Sequence, residues 1–211
     1  LTLIFFFPAE AGIRDVERSR GLGDMYTKQE LGAVVALIAD HGMGDKADAK
    51  GDPKVIWLQD ILNAELGEGI CTVICAITDA FVGHHGALGG FVRIYINGRA
   101  EREKVVEIVQ DQTGIEKAWL AEDVAEELEQ PLDREGDVAV MGDKWTVIGG
   151  RAVDHDLSAL KGHRLRTHGS LYEANIPFVI SEPLTGSYAE RHLTTTLRSH
   201  EIFDYVLNGV S

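Results

Sequence analysis

Asp40 and His41, adjacent in Ala39-Asp40-His41-Gly42-Met43, are the residues of this sequence best suited to chemistry. A carboxylate oxygen and an imidazole nitrogen are both ligands that zinc accepts. Gly42 leaves the backbone free to turn, so that neighbouring side chains can converge on one point. On the dipeptide alone, a loop Asp capping the next turn beside an exposed His is the plainer reading. His168, in Leu165-Arg166-Thr167-His168-Gly169-Ser170-Leu171, is the second candidate ligand. It too is followed by Gly and precedes an apolar strand, although a lone loop histidine is more often a surface residue. The tandem His84-His85, ahead of Gly86, Gly89 and Gly90, suits either support around a metal or a tight turn. Asp154-His155-Asp156 has the composition of a ligand cluster but reads first as an exposed loop.

Other chemistries lack their signatures. Gly21-Leu22-Gly23 has neither the third glycine nor the preceding strand of a dinucleotide fingerprint. There is no phosphate-binding P-loop, no Gly-x-Ser-x-Gly elbow and no paired Cys-x-x-Cys ribbon.

The elements that must hold these residues follow an α/β pattern. Residues 24–30 end a helix that Leu31-Gly32 closes. The unbroken apolar run 33–38 has the pattern of a strand buried on both faces of a parallel sheet, and it stops at Asp40-His41-Gly42. In open α/β sheets, ligands gather outside such carboxyl ends. A polar loop then runs to Pro53, and Val55, Leu58, Ile61 and Leu62 recur at helical spacing until Gly67. Cys71 and Cys75 share a face of an apolar strand, too far apart to bridge, and read as buried thiols. The middle predicts a strand at 91–96, a helix at 101–110 with Val105, Val106 and Val109 inward, and a strand at 115–120. An acidic helix at 121–129 and a closing strand pair, 137–141 with 145–148, complete a small α+β insert. Residues 177–181 form a return strand. Ser199 caps a last helix that turns Ile202, Phe203, Val206 and Leu207 inward.

The chain has 211 residues, is 45% hydrophobic and 26% charged, and is long enough to bury a core. Its formal net charge of -14 argues against nucleic acid, which needs Lys and Arg to neutralise phosphates, and against anionic membrane surfaces. An anionic substrate remains compatible, because bound metal ions can dominate the local field. The opening Leu-Thr-Leu-Ile-Phe-Phe-Phe-Pro is too short to span a bilayer and reads as a buried strand cut near its start. Two isolated cysteines fit a reducing cytoplasm.

Ala39-Asp40-His41-Gly42-Met43 resembles a motif of the alkaline phosphatase superfamily, in its nucleotide pyrophosphatase/phosphodiesterase branch. Ile77-Thr78-Asp79-Ala80-Phe81-Val82-Gly83-His84-His85-Gly86-Ala87-Leu88-Gly89, Asp156-Leu157-Ser158-Ala159-Leu160 and Arg166-Thr167-His168-Gly169-Ser170 narrow the resemblance to the C-terminal part of the phosphonoacetate hydrolase family. The resemblance implies part of an alkaline-phosphatase-like sheet sandwiched by helices, with a small α+β cap. It places a partial catalytic core at 1–90, the cap at 91–150 and a return to the core at 151–211. It implies a site of two zinc ions, with Asp40 and His41 on one and His168 on the other. Its activity would be cleavage of the C–P bond of phosphonoacetate to acetate and phosphate. Its partners would be that small anion and, as an option, a second copy of the chain. The nucleophilic threonine, a further Asp and an Asp-x-x-x-His pair are expected upstream, and Asp15 is followed four residues later by Ser19 rather than His. By itself the chain is therefore expected to be inactive and to bind zinc poorly. Other phosphate esters, or a binding domain that lost its site, are the alternatives.

Overall fold

The computed structural model describes residues 32–76, 88–160 and 162–210. Its elements run β1 (Ala36–Ile38), β2 (Gly44–Asp45), β3 (Val55–Trp57), α1 (Leu58–Leu66), β4 (Cys71–Cys75) and β5 (Phe91–Ile96). They continue through α2 (Arg102–Gln110), β6 (Ile115–Leu120), α3 (Ala121–Glu127), β7 (Val138–Gly142), β8 (Val147–Gly149) and β9 (Arg166–Thr167). β10 (Phe178–Ile180), α4 (Gly186–Thr194) and α5 (Ile202–Asn208) end the chain. Two compact units result: Gly42–Ala174 is one, and the chain up to His41 with Asn175–Ser211 is the other.

The Gly42–Ala174 unit is built on a four-stranded antiparallel sheet of order β4-β5-β7-β6. One core gathers Leu58 and Leu62 of α1, Val105, Ile108 and Val109 of α2, and Val92, Ile94, Val138 and Val140 of the central strands. A smaller cluster, Trp119, Val124, Ala139 and Met141, seats α3 on the same sheet. The two central strands alternate residues between these clusters, as the two-residue period of a strand requires. Each fully buried aliphatic side chain here contributes about 1.5–3 kcal/mol of transfer free energy. Cys71 and Cys75 are buried and free, as the apolar run implied. The sheet therefore starts at Cys71, so it takes in a strand that the sequence reading had placed before residue 91.

Two other expectations are corrected in this unit. Val55 begins a strand rather than a helix; the apolar i, i+3 spacing arises because α1 starts only three residues later, at Leu58. Gly67, with φ +102, does end that helix, at a backbone angle glycine tolerates. β8 does not close against β7. It runs parallel to β3, in the register Val55↔Val147 to Trp57↔Gly149.

In the other unit, β1 pairs with β10 in antiparallel register, Ala36↔Ile180 to Ile38↔Phe178. Of the apolar run 33–38, Val35 to Ile38 are buried but Ala33 is exposed and Val34 half-buried, and the strand covers only Ala36–Ile38; the expected parallel pairing is antiparallel, since burial says nothing of strand direction. Ala36 and Ile38 pack with Ile202, and Tyr205 is fully buried, its ring edge-on to Phe178 and Tyr188. Phe203 and Leu207, expected inward, are exposed. A 3-10 turn over Ser199–Glu201 precedes α5, so Ser199 lies within that turn and the helix faces Ile202 and Tyr205 inward. α4 had no counterpart in the sequence reading. Among the described residues no helix is long and apolar enough to cross a membrane.

Candidate functional site

Asp40 and His41 follow two and three residues after β1, at the end of the described chain before it enters the Gly42–Ala174 unit. The His41 N–H donates to Asp40 Oδ1 at 3.0 Å. That bond turns Oδ2 toward the imidazole, and Oδ2 lies 3.6 Å from His41 Nε2. The Asp40 side chain is 87% exposed and that of His41 36% exposed. The Asp40 carboxylate is therefore exposed with the partly covered His41 ring beside it, an orientation that a capping Asp beside an unrelated His would not require.

His168 belongs to the Gly42–Ala174 unit. β9 ends one residue before it and pairs antiparallel with β2, Gly44 opposite Thr167 and Asp45 opposite Arg166. His168 is thus the residue just past this ladder on one strand, and Met43 the residue just before it on the other. The His168 carbonyl accepts the Gly90 N–H at 2.8 Å, and Gly90 in turn accepts from Gly142 N–H at 2.9 Å, which ties the histidine's backbone to the central sheet. A Cβ at Gly90 would stand 2.9 Å from Ser170 Cβ and 3.0 Å from Ser170 N, so the loop after His168 can lie this close only on glycine. Gly169, at φ +109, makes the turn that follows.

Beneath this loop lies a buried ionic network that the sequence reading missed. Lys46 Nζ is 3.1 Å from Glu173 Oε1, with side-chain exposures of 0% and 3%. The ammonium also donates to the Lys144 carbonyl at 3.0 Å. Glu173 Oε2 accepts from Ser170 N–H at 3.0 Å and from Ser170 Oγ at 2.7 Å, while Ser170 Oγ accepts from Tyr172 N–H at 3.3 Å. Ser170-Leu171-Tyr172-Glu173 is a capping box at the head of a 3-10 turn. The Ser-x-x-Glu spacing was there to be read directly after His168-Gly169. Lys46, far away in the chain, carried no such signal. The Glu173 carbonyl accepts Gly42 N–H at 2.7 Å.

The remaining candidates divide plainly. His84 and His85 lie outside the described residues. Asp154 and Asp156 are exposed; Asp156 Oδ1 accepts Ser158 N–H at 2.9 Å, and the His155 ring sits 5.2 Å from the Trp57 ring. Within neither unit do three or more described His, Cys, Asp or Glu side chains come together. A cavity of about 420 Å³ lined by Ala47, Asp48, Lys54, Trp145 and Arg164 also lies in the Gly42–Ala174 unit. Both of its cations are already paired, Lys54 with Asp143 and Arg164 with Asp45, each at 2.7 Å. Its walls therefore offer an anion little uncompensated charge.

Phosphonoacetate hydrolase from Sinorhizobium meliloti 1021, in structures with phosphonoformate and with phosphonoacetate, superposes with a TM-score of 0.73 and 32% identity over 89% of this chain. The chain is similar to phosphonoacetate hydrolase. It spans 44% of that chain's length. Murine ectonucleotide pyrophosphatase/phosphodiesterase 5 matches 77% of the chain with a TM-score of 0.52 and 17% identity, which supports the shared fold alone. No family model matches. The architecture is part of the alkaline-phosphatase-like fold that phosphonoacetate hydrolase shares with that phosphodiesterase, and phosphonoacetate hydrolase, 32% identical over the matched part, is a hydrolase.

Proposed function

We propose that this chain is part of a zinc-dependent hydrolase that cleaves the carbon–phosphorus bond of phosphonoacetate, giving acetate and phosphate. Asp40 and His41 would hold one zinc ion and His168 the other. The observation that carries the reading is the Asp40–His41 geometry. Donors about 2.0–2.1 Å from a tetrahedral zinc stand about 3.4 Å apart, and Asp40 Oδ2 and His41 Nε2 are 3.6 Å apart, with the carboxylate exposed. The likeness to phosphonoacetate hydrolase, with the ligands of its structures, supplies the substrate class.

A pair of zinc ions would supply charge stabilisation to the oxygens of the transferring phosphoryl group. The chain's own residues have narrower tasks. The His41 N–H donates to Asp40 Oδ1 and so favours the rotamer that turns the carboxylate toward the imidazole, which lowers the side-chain entropy lost on ligation. Asp40 brings the negative charge, and the two imidazoles bring neutral nitrogen donors. The nucleophilic threonine and the other ligands would come from chain outside these 211 residues. Alone, the 211 residues should release no phosphate from phosphonoacetate.

The test uses the complete gene product that carries this segment. Phosphate release from phosphonoacetate with zinc should fall by more than about 100-fold in Asp40→Asn and in His168→Ala, beyond the usual range for groups that only support a metal ligand. Full activity in both variants would sink the assignment. Hydrolysis of phosphate diesters to monoesters, without phosphate release from phosphonoacetate, would move the substrate to the phosphodiesterase side of the superfamily.

A further inference from the structure

We propose that Lys46 and Glu173 are positioning residues for the His168 half of the zinc site, a role that rests on the function proposed above. Glu173 touches the site's framework at three points. Its carbonyl holds Gly42, the residue bonded to His41, through the Gly42 N–H at 2.7 Å. Its carboxylate holds Ser170, two residues after His168, by both N–H and hydroxyl. Its other oxygen is held in turn by the buried Lys46 ammonium. A single side chain and its own peptide group therefore tie down the residue after one proposed ligand and the loop after another.

The packing around the pair admits few alternatives. A Cβ on Gly44 would lie 2.3 Å from Glu173 Oε1, so the β2 backbone comes up against the carboxylate itself. Lys46 has no solvent exposure, and its ammonium meets the Glu173 carboxylate and the Lys144 carbonyl. A buried ion pair adds little net stability compared with a well-packed apolar pair, so its physical advantage is to fix geometry. Here the geometry it fixes is that of the Gly169–Ser170 turn, which must hold the preceding histidine within a fraction of an ångström for ligation.

The test is amide hydrogen exchange and a zinc titration, read by NMR on the complete gene product that carries this segment, as wild type, Glu173→Gln and Ser170→Ala. Ser170→Ala keeps the Lys46–Glu173 pair and is the milder change should Glu173→Gln fail to fold. In either variant the Gly42, Gly90 and Ser170 amides should exchange about 10-fold or more faster, while amides of the β5–β7 ladder change less. In wild type, zinc should shift the His168 ring signals, and the variants should need about 10-fold more zinc for the same shift. A merely structural role would lower protection evenly across loop and ladder and leave the zinc midpoint unmoved, and that result overturns the proposal. Unchanged exchange at the three loop amides overturns it as well. If zinc leaves His168 of the wild type unshifted, the metal reading fails, and the exchange arm by itself still decides whether the pair positions the loop.

Discussion

Lys46→Met removes one charge of a buried pair and leaves the other stranded. The methionine fills nearly the same volume, so packing changes little; what changes is that the Glu173 carboxylate keeps its two Ser170 donors but loses its counter-ion. The Lys144 carbonyl also loses its donor. Breaking a buried pair from one side costs about 3–5 kcal/mol, and for a chain of this size each kcal/mol moves the melting temperature by about 2–4 °C. The melting temperature should therefore fall by about 6–20 °C, followed by near-ultraviolet circular dichroism. Lys46→Met with Glu173→Gln should recover most of that loss, because the amide oxygen can still accept from Ser170 and no charge is left buried. A melting temperature for Lys46→Met within about 2 °C of wild type would refute the reasoning, and so would a double variant as damaged as the single one.

Gly149→Ala should destabilise by about 1–3 kcal/mol through overpacking, since its Cβ would lie 2.5 Å from the Trp57 ring and 2.7 Å from Leu88; Gly150→Ala, with nothing within 4 Å, is the control expected to melt like wild type. Burial raises the Asp143 carboxyl, but hydrogen bonds from Lys54 and the Trp145 N–H outweigh it and hold the group below its ordinary range. The stability this confers is complete above the unfolded carboxylate range, about pH 4, and is lost as pH falls through the lower folded value. The gap in melting temperature between wild type and Lys54→Met should accordingly be full near pH 6 and close toward pH 2. Burial pushes the Cys71 thiol up, with the Asp137 charge adding to it, and burial likewise raises Cys75. Both should alkylate at about pH 8 far more slowly in the native chain than in denaturant, as mass spectrometry would read.

Local signals carried the middle of the chain well. Phe91–Ile96 and Ile115–Leu120 could be bounded from sequence because each is an apolar stretch ended by turn or helix-start residues. Val55 misled because a three-residue strand running directly into α1 leaves apolar spacing that looks helical. In α5, Tyr205 rather than Phe203 or Leu207 goes inside, since α4 brings the Tyr188 ring against it and that helix was not foreseen. Asp40 and His41 stood out by type and adjacency. That the same two residues share an orientation depends on one backbone N–H, which no spacing rule encodes. The Ser170-x-x-Glu173 spacing could signal a helix cap, but Lys46 was invisible for a different reason: it has the composition of a surface residue, and only the tertiary fold makes it Glu173's partner.

The hydrogen bond from Gly42 N–H to the Glu173 carbonyl joins the place where the chain enters the Gly42–Ala174 unit to the place where it leaves. A unit whose two ends are pinned together is a portable part. Seen from the flanking chain, its whole length counts as a tight turn, and loop-closure entropy grows only slowly even where ends are free. Residues can be added to or deleted from its surface loops without disturbing the distance between its ends. By the same logic it should tolerate transplantation between two closely spaced positions of an unrelated host, or circular permutation with a short linker across Gly42 and Ala174.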